Sequence, residues 1–113
     1  MHNEDLLPAL KALAHETRFR MVELLLAHNL CVRALASCLQ ISEAAASQHL
    51  RILRKAGLVK GEKQGYWTHY AVQTDALDWL GERLGRLREQ RFECRDLNRD
   101  LCSDISNQEK GGD

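Results

Sequence analysis

The chain has a single proline in 113 residues, only 5% aromatic residues and no net charge at pH 7. With Pro8 alone lacking an amide hydrogen, almost every position is free to join a helix. No apolar run approaches the roughly 20 residues that cross a bilayer, and no basic-then-apolar leader opens the chain. No glycine-rich phosphate loop, carboxylate pair or nucleophile–base arrangement occurs at recognisable spacing, so an enzyme is not expected. The expected location is cytoplasmic, where thiols stay reduced. The four cysteines (Cys31, Cys38, Cys94 and Cys102) are then ligands, sensors or buried filler rather than structural disulfides.

What is present is unevenly distributed. Residues 42–72 carry five Lys/Arg against two Asp/Glu, residues 73–113 carry seven against ten, and residues 1–41 carry four of each. A local cationic surface on a neutral chain is enough for salt-dependent nucleic-acid binding. The length allows one domain, small enough to benefit from a partner subunit in burying a core. Residues 1–106 are taken as that domain and the polar, glycine-ended residues 107–113 as a disordered tail.

Periodicity gives the element order. Residues 5–14 make a first helix with Leu6, Leu10 and Leu13 on one stripe and Pro8 in its first turn. Residues 17–28 make a second, burying Phe19, Val22, Leu25 and Leu26, with Asn29 as a left-handed stop. After an extended link at residues 30–32, residues 33–39 form a third helix with Leu35 and Leu39 inward. Gln40 and Ile41 turn the chain and Ser42 caps a fourth. Residues 58–63 and 66–72 read as a β-hairpin joined at Gln64-Gly65. Thr74 then opens a long last helix.

The fourth helix carries the most information. Ala46, Leu50 and Leu53 give a buried stripe, while Ala44, Ser47, Gln48, Arg51 and Lys55 recur on the opposite face. Small side chains let a helix sink into a major groove, where Ser and Gln read base edges and Arg and Lys reach phosphates. Two helices joined by a tight turn and followed by a hairpin make a winged helix-turn-helix: mainly α with a small β-hairpin. Ser42, Ala44, Ser47, Gln48 and His49 are assigned near bases of double-stranded operator DNA, and Arg51 near phosphate. Lys60, Lys63 and Gln64 are the hairpin residues best placed for flanking backbone or minor groove. Such a helix pair also occurs as a plain packing unit; the combination with the basic hairpin favours DNA. His2, His15, His28 and His69 are read as structural or solvated.

Leu77, Leu80, Leu84 and Leu87 alternate by three and four along the last helix, the spacing of a helix–helix seam, and point to a homodimer. The alternative is that this stripe packs the helix on its own domain. A strict seam is narrower than most core-facing stripes.

Three stretches make the chain recognisable: residues 10–18 (LKALAHETR), residues 30–36 (LCVRALA), and Ser47-Gln48-His49-Leu50 followed by residues 53–59 (LRKAGLV). With the wing residues 65–70 (GYWTHY), they resemble the ArsR/SmtB family of bacterial and archaeal repressors over about residues 5–90. The resemblance implies a homodimer that occupies an operator when its sensor site is empty and leaves it on binding an inducer, usually a metal ion or metalloid. Arsenic-responsive members carry cysteines at the positions of Cys31, Arg33 and Ala36; this chain keeps the first. The family's His/carboxylate site on the last helix is also missing, since residues 75–102 contain no His.

Thiolates remain. Cys31 and Cys38 stand about 10.5 Å apart if one helix spans them, and Cys94 and Cys102 about 12 Å, each too far to share one ion on a continuous helix. Some relatives place arsenic-binding cysteines near the end of the last helix. The favoured site is therefore Cys94 and Cys102 with a break between them, and Cys31 or a partner cysteine as third ligand. As(III) or a thiophilic metal ion is the inducer such donors select. The alternative is a thiol redox or reactive-sulfur sensor using a cysteine pair; an iron–sulfur cluster ranks below both, because the spacing matches no cluster motif. Cys38 fits a small buried hydrophobe. A constitutive DNA-binding or interaction module without a ligand is the remaining class.

Overall fold

The structure, a computed structural model, describes residues 3–89. A short 3-10 turn at Asn3–Asp5 leads into helix α1 (Leu6–Leu13), followed by α2 (Glu16–Ala27), strand β1 (Leu30–Cys31) and α3 (Val32–Leu39). Helix α4 (Glu43–Lys55), strands β2 (Val59–Gln64) and β3 (Trp67–Val72), and α5 (Thr74–Gly85) complete the order, with a 3-10 turn at Arg86–Arg88. The fold is a mainly helical winged helix-turn-helix.

Most helix ends follow local chemistry. The ring Nδ1 of His15 accepts from the amide of Thr17 and caps α2, and Ser42 Oγ accepts from the amide of Ala45 at 3.0 Å and caps α4. Gln40 closes α3 in the left-handed region (φ 56°), so the amide of Ile41 reaches the carbonyl of Ala36. Gly57 (φ 78°) does the same for α4: its own amide bonds the carbonyl of Arg54, and that of Leu58 bonds the carbonyl of Leu53. Asn29 is not the stop of α2. The helix ends instead on an extended His28 whose amide bonds Leu24, because the chain goes straight into β1.

The hairpin was expected, and the sheet gains a third strand. Leu30 and Cys31 of the expected link pair antiparallel with Tyr70 and His69, giving the order β1-β3-β2. Gln64 pairs with Trp67, so Gly65 (φ 67°) and Tyr66 make the two-residue turn, one position later than expected. Positive φ at the first central position alone is what a type II′ turn asks of glycine. Gly61 is also required: a Cβ there would stand 2.9 Å from Thr68 Cγ2 and 3.1 Å from Tyr70 Cε1. The Tyr70 ring covers the space that a side chain would fill.

One core joins the elements. Ala9, Ala12, Met21, Val22, Leu25, Leu35, Ala36, Ala46, Leu50, Leu53, Leu58, Val59, Ala76 and Leu80 are buried, and no polar side chain is buried with them among the described residues. The stripe of α4 lies where its spacing placed it. Three assignments change. The inward face of α2 is Met21, Val22 and Leu25, which leaves Phe19 and Leu26 half exposed to one side of it. Cys38 is exposed on α3 rather than buried. The leucine stripe of α5 divides: Leu80 is buried and Leu77 packs on the same core, whereas Leu84 and Leu87 are 44% and 59% exposed. Leu80 therefore belongs to the domain's own interior and has no surface left for a seam.

Candidate nucleic-acid interface

The outer face of α4 is open along its length. Ser42, Ala44, Ser47, Gln48 and Arg51 are all exposed, and Arg54 and Lys55 add cations in the last turn. Glu43 sits in the first turn, where a carboxylate suits the helix dipole. With Ala46, Leu50 and Leu53 clamped in the core, this face keeps a fixed orientation.

His49 differs from the other assigned residues. It is half-buried on the flank of α4, its Nδ1 lies 3.2 Å from Arg18 Nη1, and its ring sits 4.8 Å from the ring of His15. Arg18 in turn donates from Nε to the carbonyl of Ala12 at 2.6 Å. Burial first, then the neighbouring His15 and Arg18, hold the His49 pKa below its ordinary value. Sequence reasoning missed Arg18; its position in α2 carried no periodic signal linking it to α4.

The wing residues Lys60, Lys63 and Gln64 are exposed as expected. Lys60 and Lys63 stand three positions apart, so their side chains leave opposite faces of β2. Lys60 pairs with Glu62 at 3.1 Å, whereas Lys63 has no ion pair among the described residues. Tyr66 at the hairpin tip is fully exposed and Trp67 half exposed. Their place beside the turn glycine could have been noted from sequence.

Of the assigned thiols, Cys31 lies half-buried at the junction of β1 and α3. Cys94 and Cys102 lie outside the described residues. Across the sheet Cys31 is directly opposite His69, and Glu62 opposite His69 on its other side, so the three share one face. His69 Nδ1 is buried with no hydrogen-bond partner among the described residues. No group of three or more His, Cys, Asp or Glu that could hold a metal ion occurs among the described residues. Nor, among them, is any helix long and apolar enough to cross a membrane.

Known proteins with this arrangement are regulators. A family model described as "Bacterial regulatory protein, arsR family" matches residues 15–60, from the cap of α2 to the start of the wing. The transcriptional activator HlyU of Vibrio cholerae is 38% identical over 78 residues, covering 69% of this chain and 72% of that protein. The arsenical resistance operon repressor of Escherichia coli is 36% identical over 100 residues, covering 82% and 85%. The structure of reduced HlyU superposes with a TM-score of 0.62 at 36% identity, over 77% of this chain and 92% of that one. A homodimeric winged helix-turn-helix domain from Mycobacterium bovis superposes with a TM-score of 0.64 at 22% identity, over 84% and 88%, and supports the fold. The chain therefore belongs to the ArsR family of bacterial regulatory proteins and is a transcription regulator.

Proposed function

We propose that the chain is a homodimeric repressor that lays α4 in the major groove of its operator and leaves DNA when a thiophilic inducer binds. The observation that carries the DNA reading is the α4 face itself: small and hydrogen-bonding residues at 44, 47 and 48, and cations at 51, 54 and 55, backed by a fully buried stripe. Ser42, Ala44, Ser47 and Gln48 face bases and Arg51 faces phosphate. Lys63 and Gln64, with Tyr66 at the tip, follow the flanking groove; Lys60, held by Glu62, contributes less charge. His49 acts from the flank of the helix. The repressor described for Escherichia coli supports the direction of control, while HlyU is described as an activator.

The second copy is supported by apolar surface left exposed among the described residues. Leu84 near the end of α5, Leu87 in the 3-10 turn that follows it and Leu7 on α1 are 44%, 59% and 64% exposed. These are the residues to which we assign the dimer contact, with Leu77 at its edge and Leu80 behind it in the core.

For the inducer we assign As(III) or another soft metal ion to Cys94 and Cys102, with Cys31 as a third donor. The donor chemistry fits at the one described position: a half-buried thiol faces an imidazole whose Nδ1 has no hydrogen-bond partner among the described residues. Thiolate and imidazole both favour soft or borderline ions over hard ones. Two arsenical-resistance regulators among the relatives, from Escherichia coli and Pseudomonas putida, support the same class. The test is arsenite titration of the reduced protein, read by thiolate–arsenic absorbance and by operator affinity. Stoichiometric binding that weakens DNA affinity, and is lost when Cys94 and Cys102 become Ser, supports the assignment. An effect seen only with oxidant or sulfide donors replaces it with a cysteine-pair redox sensor. No response to either leaves a regulator controlled elsewhere.

A further inference from the structure

A cavity of about 290 Å³ opens between α1 and the flank of α4. Pro8, Ala12, Ile52 and Ala56 form its apolar walls. The other described residues lining it are Lys11, Arg18 and Lys55, and no carboxylate is among them. We propose that this cavity binds a small amphipathic organic anion, a compact aliphatic or aromatic monocarboxylate, and passes that binding to α4 through Arg18.

The ligand class follows from what surrounds the cavity. Its volume is near the lower end of small-molecule sites, about 300 Å³. An apolar wall holds hydrocarbon and discriminates against inorganic anions, which cannot use it. Three cations with no ion pair among the described residues disfavour an ammonium ligand and give a carboxylate charge-assisted hydrogen bonds. Lysine stems can lie along the apolar wall while the ammonium groups stay at the wet rim. Ile52 in that wall is half exposed, and a hydrocarbon body would cover it.

Arg18 gives the cavity a route to the helix. Its Nε is committed to the Ala12 carbonyl and its Nη1 to His49 Nδ1 on α4. A carboxylate in the cavity competes with the neutral imidazole for the guanidinium and wins on charge. His49 then loses the donor that ties the flank of α4 to α2. This coupling rests on α4 being the DNA-reading helix; occupancy of the cavity does not, and it is separate from the thiol site.

The experiment uses the full chain, with phenylacetate as probe and phenylacetamide and acetate as controls. In heteronuclear NMR without DNA, phenylacetate should give saturable shifts at the amides of Ala12, Ile52 and Ala56 and at the His49 ring. Phenylacetamide and acetate should each bind at least about tenfold more weakly. Arg18→Gln should abolish the His49 response. If that variant fails to fold, the double variant Lys11→Gln/Lys55→Gln, changed only at exposed sites, should weaken binding about tenfold. No saturable shift at these residues, equal binding of phenylacetamide, or an unaltered double variant would each overturn the site. Operator affinity with saturating phenylacetate should fall about tenfold. Binding without that fall overturns the coupling alone, and a chain that ignores DNA altogether overturns the reading of α4 while the NMR result stands.

Discussion

Nη1 of Arg18 lies 3.2 Å from Nδ1 of His49, which joins the start of α2 to the middle of α4. A guanidinium only donates, so Nδ1 must be the accepting nitrogen and His49 is held neutral, with its proton on Nε2. Protonation would remove the acceptor and set a cation beside Arg18 and against His15.

The consequence is a pH-dependent stability with a defined sign. The His49 pKa is depressed in the fold, so as pH falls the unfolded chain takes up the proton first. The stability from the neutral imidazole is complete above about pH 6.5, the ordinary histidine value, and is lost as pH falls through the lower folded value. Urea midpoints measured between pH 8 and 5 should show that decline, and His49→Gln should flatten it. An identical decline in the variant would assign the effect to other groups.

Gln48→Ala should relax sequence preference at one operator position, at a cost of about 1–3 kcal/mol for the preferred base. Lys63→Ala should weaken binding to all sequences alike and reduce the salt slope by about one. Lys60→Ala should do less, because Glu62 already offsets that charge. Salt-dependent binding to an operator and to scrambled duplexes separates the three variants; a larger loss for Lys60 than for Lys63 would contradict the assigned order.

Gly57→Ala should destabilise the fold by about 1–2 kcal/mol, the cost of a left-handed residue with a Cβ. The same change should lower operator affinity beyond the stability loss, since Gly57 sets the exit of α4 into the wing. Thermal unfolding and DNA titration of one preparation give both values. Gln40→Gly, which relieves the same strain at the end of α3, should raise the melting temperature.

The divided stripe of α5 predicts opposite phenotypes for neighbouring leucines. Leu80→Ala should cost about 2–5 kcal/mol whatever the protein concentration. Leu84→Ser/Leu87→Ser should leave the domain folded and shift sedimentation toward monomer. A double variant that unfolds like Leu80→Ala would place the whole stripe in the domain core.

The reading face of α4 was legible because its cause is local. Ala46, Leu50 and Leu53 repeat at helical spacing, Ser42 caps, Gly57 stops, and any chain that buries that stripe must present Ser47, Gln48 and Arg51. The third strand was not legible. Leu30 and Cys31 are too few to show alternation, and they become a strand only because β3 offers an edge. Phe19 and Leu26 misled for a related reason: apolar residues cover most sides of α2, and only the position of its neighbours selects the buried one.

By itself the sequence determined the helix-turn-helix, the wing and the family likeness, all consequences of spacing within a few turns of chain. Tertiary structure alone decided that His49 answers to Arg18, that Cys31 faces His69, and that Leu80 is interior while Leu84 is not. Those pairings join residues far apart in the chain or choose between faces that periodicity leaves equivalent. Only the docking of one element on another, driven by burial of the shared core, fixes them.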